Sequence, residues 1–108
     1  MSYVSAHVLD AGAGRPAAGI EVQLATADGR RLASAVTDAD GRVSDLGPDR
    51  LPPGDYSVTF ATGPYFAAQA VGGLYPRVAV TFTVAKDEQH YHIPLLLSPY
   101  SYTTYRGS

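Results

Sequence analysis

Three histidines are the side chains of this protein best suited to transfer protons near neutral pH. His7 lies in the first apolar stretch, whereas His90 and His92 stand two residues apart at the start of the last strand pair. Histidine is the side chain whose ordinary pKa, about 6.5, lets it exchange a proton near neutral pH. A histidine pair therefore suits general acid–base catalysis, which typically contributes roughly 10²–10⁴-fold to a rate.

The position of each histidine in its strand separates the candidates. His90 follows the charged segment 86–89, so a solvated strand end is its simpler interpretation. His92 lies two residues inside the strand between apolar neighbours, and His7 lies mid-strand beside Leu9. For these two, the residues themselves support a structural role and a catalytic role equally.

Few other side chains could assist the histidines. Arg42 follows an Asp-Gly turn, where a solvated arginine is the ordinary outcome, and Asp38 and Asp40 belong to the same turn. Two turn carboxylates without a further acidic cluster usually form the turn rather than bind a cation. Three histidines could also hold a catalytic zinc ion, but the spacing alone is a weak signal, His90 lies at the strand edge, and no acidic partner that would orient the histidines is apparent.

The remaining chemistry uses water as the nucleophile. The chain has no cysteine and no Gly-x-Ser-x-Gly motif, so an acyl-enzyme route has little support. Histidine would then move protons, and an arginine would stabilise a developing oxyanion.

Short strands must position these side chains. Apolar residues alternate with polar ones, and turn-forming residues interrupt the pattern every eight to twelve residues, which is typical of an all-β sandwich. We predict seven or eight antiparallel strands and one short helix over residues 62–70, with Thr62 as its cap and Gly72-Gly73 as its stop. The final hairpin is predicted over residues 90–105. Residues 1–108 are expected to form a single domain.

The alternation predicts which residues face the core. In the first and the penultimate strands the core face comprises Val4, Ala6, Val8, Tyr91, Ile93, Leu95 and Leu97. His7 and His92 lie on the opposite faces, beside leucines. Leucines among histidines are unexpected on a solvated sheet face. We therefore expect burial against another subunit, with a pocket at the interface.

Composition excludes several functional classes. The net charge is −2 and the basic residues are scattered, so the basic surface of a nucleic-acid-binding protein is absent. No apolar run is long enough to span a membrane, and the first residues do not form a signal peptide. Without cysteine there are no disulfides, and we expect a cytoplasmic location.

Five segments together resemble a known family. They are His7-Val-Leu-Asp10, which is followed by Gly14-Arg-Pro-Ala17; Thr37-Asp-Ala-Asp-Gly-Arg42; the segment His90–Tyr100; and Tyr105-Arg-Gly-Ser108. These segments are similar to those of the transthyretin-like 5-hydroxyisourate hydrolases, and the similarity runs nearly end to end. The final Tyr-Arg-Gly-Ser is the most specific part, because it distinguishes the hydrolases from the hormone carrier transthyretin, which has the same fold.

The resemblance implies an activity and a site. It implies hydrolysis of 5-hydroxyisourate to 2-oxo-4-hydroxy-4-carboxy-5-ureidoimidazoline without a cofactor or metal. It further implies a homotetramer, a dimer of dimers, with active sites at the dimer–dimer interface. The implied catalytic residues are His7, Arg42, His92 and Ser108; the implied substrate-binding residues are these four with Tyr105, Arg106 and Gly107. The alternative is a transthyretin-like protein that binds a small ligand without catalysis.

Overall fold

Two β-sheets enclose one hydrophobic core in the computed structural model, which describes residues 2–86 and 90–108. The strands are β1 Val4–Asp10, β2 Arg15–Pro16, β3 Glu21–Thr26, β4 Arg31–Val36, β5 Arg42–Val43, β6 Gly54–Phe60, β7 Val78–Val84, β8 Tyr91–Ser98 and β9 Ser101–Thr104; the helix is α1 Thr62–Ala67. One sheet has the order β2-β1-β8-β9 with β5 also paired to β1, and the other has the order β4-β3-β6-β7. The predicted sandwich with one short helix is confirmed. The described residues form nine strands rather than the predicted seven or eight, two of which, β2 and β5, have only two residues each.

The first sheet is centred on β1 and β8, which lie side by side in parallel. Every other pair of strands within the described residues is antiparallel, as predicted. Parallel neighbours need a long crossover, and here the connection between β1 and β8 contains the whole second sheet. In this register Ser5 stands beside His92, and His7 stands beside Pro94.

The predicted core faces of β1 and β8 are confirmed. Val4, Ala6 and Val8 are at most 1% exposed, and the alternate residues Tyr91, Ile93, Leu95 and Leu97 of β8 are also buried. His7 and His92, on the opposite faces, are half-buried. The opposite face thus offers the partly covered surface that a binding site requires.

The helix is shorter than predicted. It ends at Ala67, and the left-handed backbone of Ala70, with φ of 56°, follows before the predicted glycine stop. The predicted Thr62 cap is wrong: Ala61 occupies the N-cap position, and the Thr62 hydroxyl instead donates a hydrogen bond to the carbonyl of Tyr75. Of the turn expected after β7, residues 87–89 lie outside the described residues. In the described part of the chain, no helix has the length and apolar character needed to cross a membrane.

Gly41 is required where the turn before β5 approaches β1. Its φ is +75°, and a Cβ atom at this position would lie 2.3 Å from the carbonyl oxygen of Val8. We expect Gly41→Ala to lower the free energy of unfolding by about 2–4 kcal/mol, measured by urea denaturation, because it adds a clash to left-handed strain. Gly29→Ala is the matched control, since Gly29 has a φ of +93° but open space around it. Equal destabilisation by the two substitutions would contradict this prediction.

Candidate active site

An open pocket lies where β1, β5, the start of β8 and Ser108 meet. Its volume is about 530 Å³, within the range of roughly 300–1,000 Å³ that small-molecule sites occupy. The lining residues are Ser5, Ala6, Arg42, Val43, Ser44, Asp45, His90, His92 and Ser108. Three of the four predicted catalytic residues, Arg42, His92 and Ser108, therefore meet at one pocket.

His92 is held by a hydrogen bond on one side of its ring. The Oγ atom of Ser5 lies 2.7 Å from Nδ1 of His92. Every buried side-chain nitrogen and oxygen of the described residues has a hydrogen-bond partner. The described residues provide no partner for the other ring nitrogen, Nε2, so this atom is accessible to solvent. His92 thus offers one free nitrogen to a ligand.

Burial lowers the pKa of His92 below its ordinary value, and the electrostatic influence of Arg42, His7 and His90 lowers it further. A lowered pKa leaves the imidazole neutral at neutral pH, and a neutral imidazole can accept a proton. The surroundings of His92 therefore favour the role of general base.

His7 lies next to this pocket without lining it. Its ring centroid is 6.4 Å from that of His92, and its Nε2 is 2.9 Å from the carbonyl oxygen of Asp40. A carbonyl oxygen can only accept a hydrogen bond, so Nε2 of His7 carries a proton. Nδ1 of His7 then accepts a hydrogen bond when the ring is neutral and donates a proton only when the ring is an imidazolium ion.

Arg42 is the first residue of β5 and lines the pocket from this strand. In the pairing of β1 with β5, Arg42 is directly opposite His7, so the two side chains share a face of the sheet. The backbone amides of Asp40 and Arg42 both donate to a carboxylate oxygen of Asp38, at 2.9 Å. These hydrogen bonds, foremost that of the Arg42 amide, lower the pKa of Asp38. Asp38 is therefore ionised at neutral pH and supports the turn.

The C-terminal residues are fastened to β8. The amide of Gly107 donates to the carbonyl of His92 at 2.9 Å, and the Arg106 guanidinium carbon lies 4.5 Å from the ring centroid of Tyr91. Arg106 also donates to the carbonyl of His90 at 3.3 Å. These contacts bring Ser108 to the pocket.

The predicted substrate-binding tetrapeptide is divided between two places. Ser108 lines the pocket with the histidines, whereas Tyr105 and Arg106 line a separate hollow with residues of β7 and β8. Gly107 lies against the imidazole of His92 and lines neither cavity. Within one chain, Arg106 and Gly107 therefore position the tail.

The structure adds two residues to the predicted site. His90 directly precedes β8, as predicted for a strand end, but it is half-buried and hydrogen-bonded to Ser5 rather than solvated. Ser5 was missed, although it shares a strand face with His7 two residues later in the same strand. Among the described residues, no three of the histidine, aspartate and glutamate side chains are grouped so that they could hold a metal ion.

Similar proteins share both the fold and much of the sequence. A family model described as "HIUase/Transthyretin family" matches residues 4–107. A 5-hydroxyisourate hydrolase of Salmonella typhimurium is 44% identical over 111 residues, which cover 99% of this chain and 82% of that protein. The solved structure of Klebsiella pneumoniae 5-hydroxyisourate hydrolase has a TM-score of 0.90 and 38% identity, covering 100% of this chain and 94% of that one. Transthyretin from Sparus aurata also has a TM-score of 0.90, with 34% identity over 99% of this chain and 97% of that one. The chain therefore belongs to the HIUase/transthyretin family.

Proposed function

We propose that this protein is a cyclic amide hydrolase that opens the ring of 5-hydroxyisourate to give 2-oxo-4-hydroxy-4-carboxy-5-ureidoimidazoline, a step of urate breakdown, without a cofactor. Relatives from Salmonella, Caulobacter vibrioides and mouse, 41–44% identical over nearly the whole chain, carry the name 5-hydroxyisourate hydrolase. The fold is shared with transthyretin, so the fold alone does not choose the activity. The observation that carries the proposal is the meeting of Arg42, His92 and Ser108 at one pocket, with His7 beside them.

His92 is the proposed general base. Its Nε2 is free, and its lowered pKa keeps it neutral at neutral pH. The substrate has an amide-type carbonyl in a planar, polar, electron-poor bicycle. His92 removes a proton from water as the water oxygen attacks this carbonyl, and a positioned base of this kind contributes roughly 10²–10⁴-fold.

His7 is the proposed general acid. Because Nε2–H is held by the carbonyl of Asp40, His7 acts as an acid only as the imidazolium ion, which carries a second proton on Nδ1. This second proton passes to the ring nitrogen that leaves the carbonyl carbon when the ring opens. Each hydrogen-bond pattern occupies one ring nitrogen and leaves the other for the substrate. The lowered pKa of His92 then assigns the role of base to His92 and leaves the role of acid to His7.

Arg42 and Ser108 are the proposed electrostatic partners. Arg42 lines the pocket, so its charge can act on an oxygen of the substrate and on the developing oxyanion. Ser108 lines the same pocket and would hold the water or a histidine. Direct substrate contacts by Tyr105, Arg106 and Gly107 stay predictions.

We also propose that the protein assembles as a homotetramer with its sites at the dimer–dimer interface. All residues of the edge strand β9 are exposed, among them Tyr102. Two further exposed apolar side chains lie beside this strand: Tyr100, which precedes it, and Leu74, whose amide donates to the carbonyl of Pro99. An open edge with apolar surroundings favours pairing with another chain. Sedimentation-equilibrium measurement of the mass tests this assembly, and a monomer at assay concentration would contradict it.

A cytoplasmic location stays a prediction from the sequence.

Turnover of 5-hydroxyisourate tests the proposed activity. The compound is made freshly from urate with urate oxidase, and its ultraviolet absorbance is followed with and without the protein, because it also decays spontaneously. We expect acceleration over the control, and His92→Ala should lower kcat by at least about 10²-fold because the base is lost. Circular dichroism of the variant checks that the fold persists. No acceleration by the wild-type protein would instead support the ligand-binding alternative.

A further inference from the structure

Three side chains form a chain of hydrogen bonds behind the proposed base. Ser5 Oγ lies 2.7 Å from Nδ1 of His92 and 2.9 Å from Nε2 of His90. A hydroxyl group has one proton, so when it bridges two imidazole nitrogens it donates to one and accepts from the other. The two histidines must therefore hold opposite protonation states at the nitrogens that face Ser5. The tautomer of one ring thus determines that of the other.

We propose, on the basis of the hydrolase function proposed above, that Ser5 and His90 form a proton relay that prepares His92 as the base and takes up the proton it removes from water. Ser5 is a positioning residue: it donates to His90 and accepts from Nδ1–H of His92. In this arrangement Nε2 of His92 has no proton and faces the pocket. The opposite arrangement would put the proton on Nε2, where it would block the removal of a proton from water.

Each step of the relay is balanced. An O–H bond of water breaks and an Nε2–H bond of His92 forms, while the water oxygen bonds to the substrate carbonyl carbon. The Nδ1–H bond of His92 breaks, and that proton bonds to Ser5 Oγ. The original hydroxyl proton of Ser5 moves to Nε2 of His90. His92 ends neutral, Ser5 keeps one proton, and His90 becomes an imidazolium ion.

The charges around His92 give the relay its physical reason. Three positive or titratable groups face His92: Arg42 on β5, His7 on β1 and His90 before β8. The carboxyl group of Asp45 lines the same pocket. Burial and the nearby positive charges disfavour an imidazolium at His92. Transferring the positive charge to His90 avoids holding it on the ring that touches the substrate. Ser5, only 9% exposed, is shielded from competing water.

Kinetics of two single variants and their combination test the relay. Ser5→Ala should lower kcat about tenfold or more, within the contribution of acid–base catalysis, while KM changes little. His90→Gln keeps a hydrogen-bonding group near the position of Nε2 but does not accept a proton, so it should also lower kcat. The kcat of the double variant should be no lower than that of Ser5→Ala, because both substitutions interrupt the same proton relay. Ser5→Thr should recover most of the rate, and Ser34→Ala, on the exposed part of β4, is the control.

Nitrogen-15 NMR of histidine-labelled wild-type protein tests the tautomer independently of turnover. We expect His92 to carry its proton on Nδ1 and His90 to accept at Nε2. A proton on Nε2 of resting neutral His92 would overturn the relay, as would wild-type kcat in both single variants. Failure of the wild-type protein to hydrolyse 5-hydroxyisourate would overturn the proposed function and the relay together. An active wild type with unaffected variants would overturn the relay alone.

Discussion

Replacing Gly107 with alanine is expected to lower kcat by about 10²-fold or more while the sandwich stays folded, because displacing catalytic groups by about 1 Å can cost this much. A Cβ atom at residue 107 would lie 2.4 Å from Cδ2 and 3.1 Å from Cγ of His92, and 3.1 Å from Cγ of Pro94. Contacts under 3.0 Å between such atoms require that something moves. The substitution therefore acts directly on the ring proposed as the base.

Neither side of this contact can move without harm to the site. If the imidazole turns away, Nδ1 of His92 loses its hydrogen bond of 2.7 Å with Ser5. If the tail moves instead, the hydrogen bond from the Gly107 amide to the His92 carbonyl breaks and Ser108 leaves the pocket. Both outcomes remove a proposed catalytic group.

The measurement is kcat for 5-hydroxyisourate, with urea denaturation to confirm that the fold persists. Gly72→Ala is the matched control, since a Cβ atom there would meet only the Tyr100 hydroxyl at 3.9 Å. Wild-type kcat in Gly107→Ala would show that the tail and the ring adapt at no cost. The proposed role of the tail would then be wrong.

The strand pattern was enough to predict the two histidine faces, but it could not predict how they meet. Two-residue alternation gave the core faces of β1 and β8, because a pleated strand turns successive side chains to opposite sides. The contact between Ser5 and His92 joins residues 87 positions apart and exists because β1 and β8 are parallel neighbours. That pairing depends on the packing of the whole sandwich. No local feature of either strand specifies it.

Ser5 and the C-terminal tail show the same limit at the level of single residues. A serine within a strand is an ordinary residue, and only the two imidazoles within 2.9 Å give it a role. The tetrapeptide Tyr105–Ser108 was predicted as one binding unit. Its residues instead separate, because an extended segment directs successive side chains to different neighbours. Arg106 stacks on Tyr91, and Ser108 reaches the pocket.

Arg42→Gln should change both the rate and its dependence on pH. We expect kcat to fall by roughly 10²–10³-fold, the usual loss when a group that stabilises an oxyanion is removed. The positive charge of Arg42 is also one cause of the lowered pKa of His92. Without it the pKa of His92 rises toward its ordinary value, although burial, His7 and His90 still oppose a full return.

The direction of the pH shift follows from the form of His92 that reacts. The base must be neutral, so kcat/KM is lost as the pH falls through the pKa of His92 in the free enzyme. A higher pKa in Arg42→Gln therefore moves the acidic limb of the kcat/KM profile to higher pH. Arg42→Lys keeps the charge but loses the planar, two-pronged donor geometry, so its rate should fall while its acidic limb stays near that of the wild type. An acidic limb that does not move in Arg42→Gln would mean that the group titrating in the profile is not His92, and the base would then have to be sought at His7.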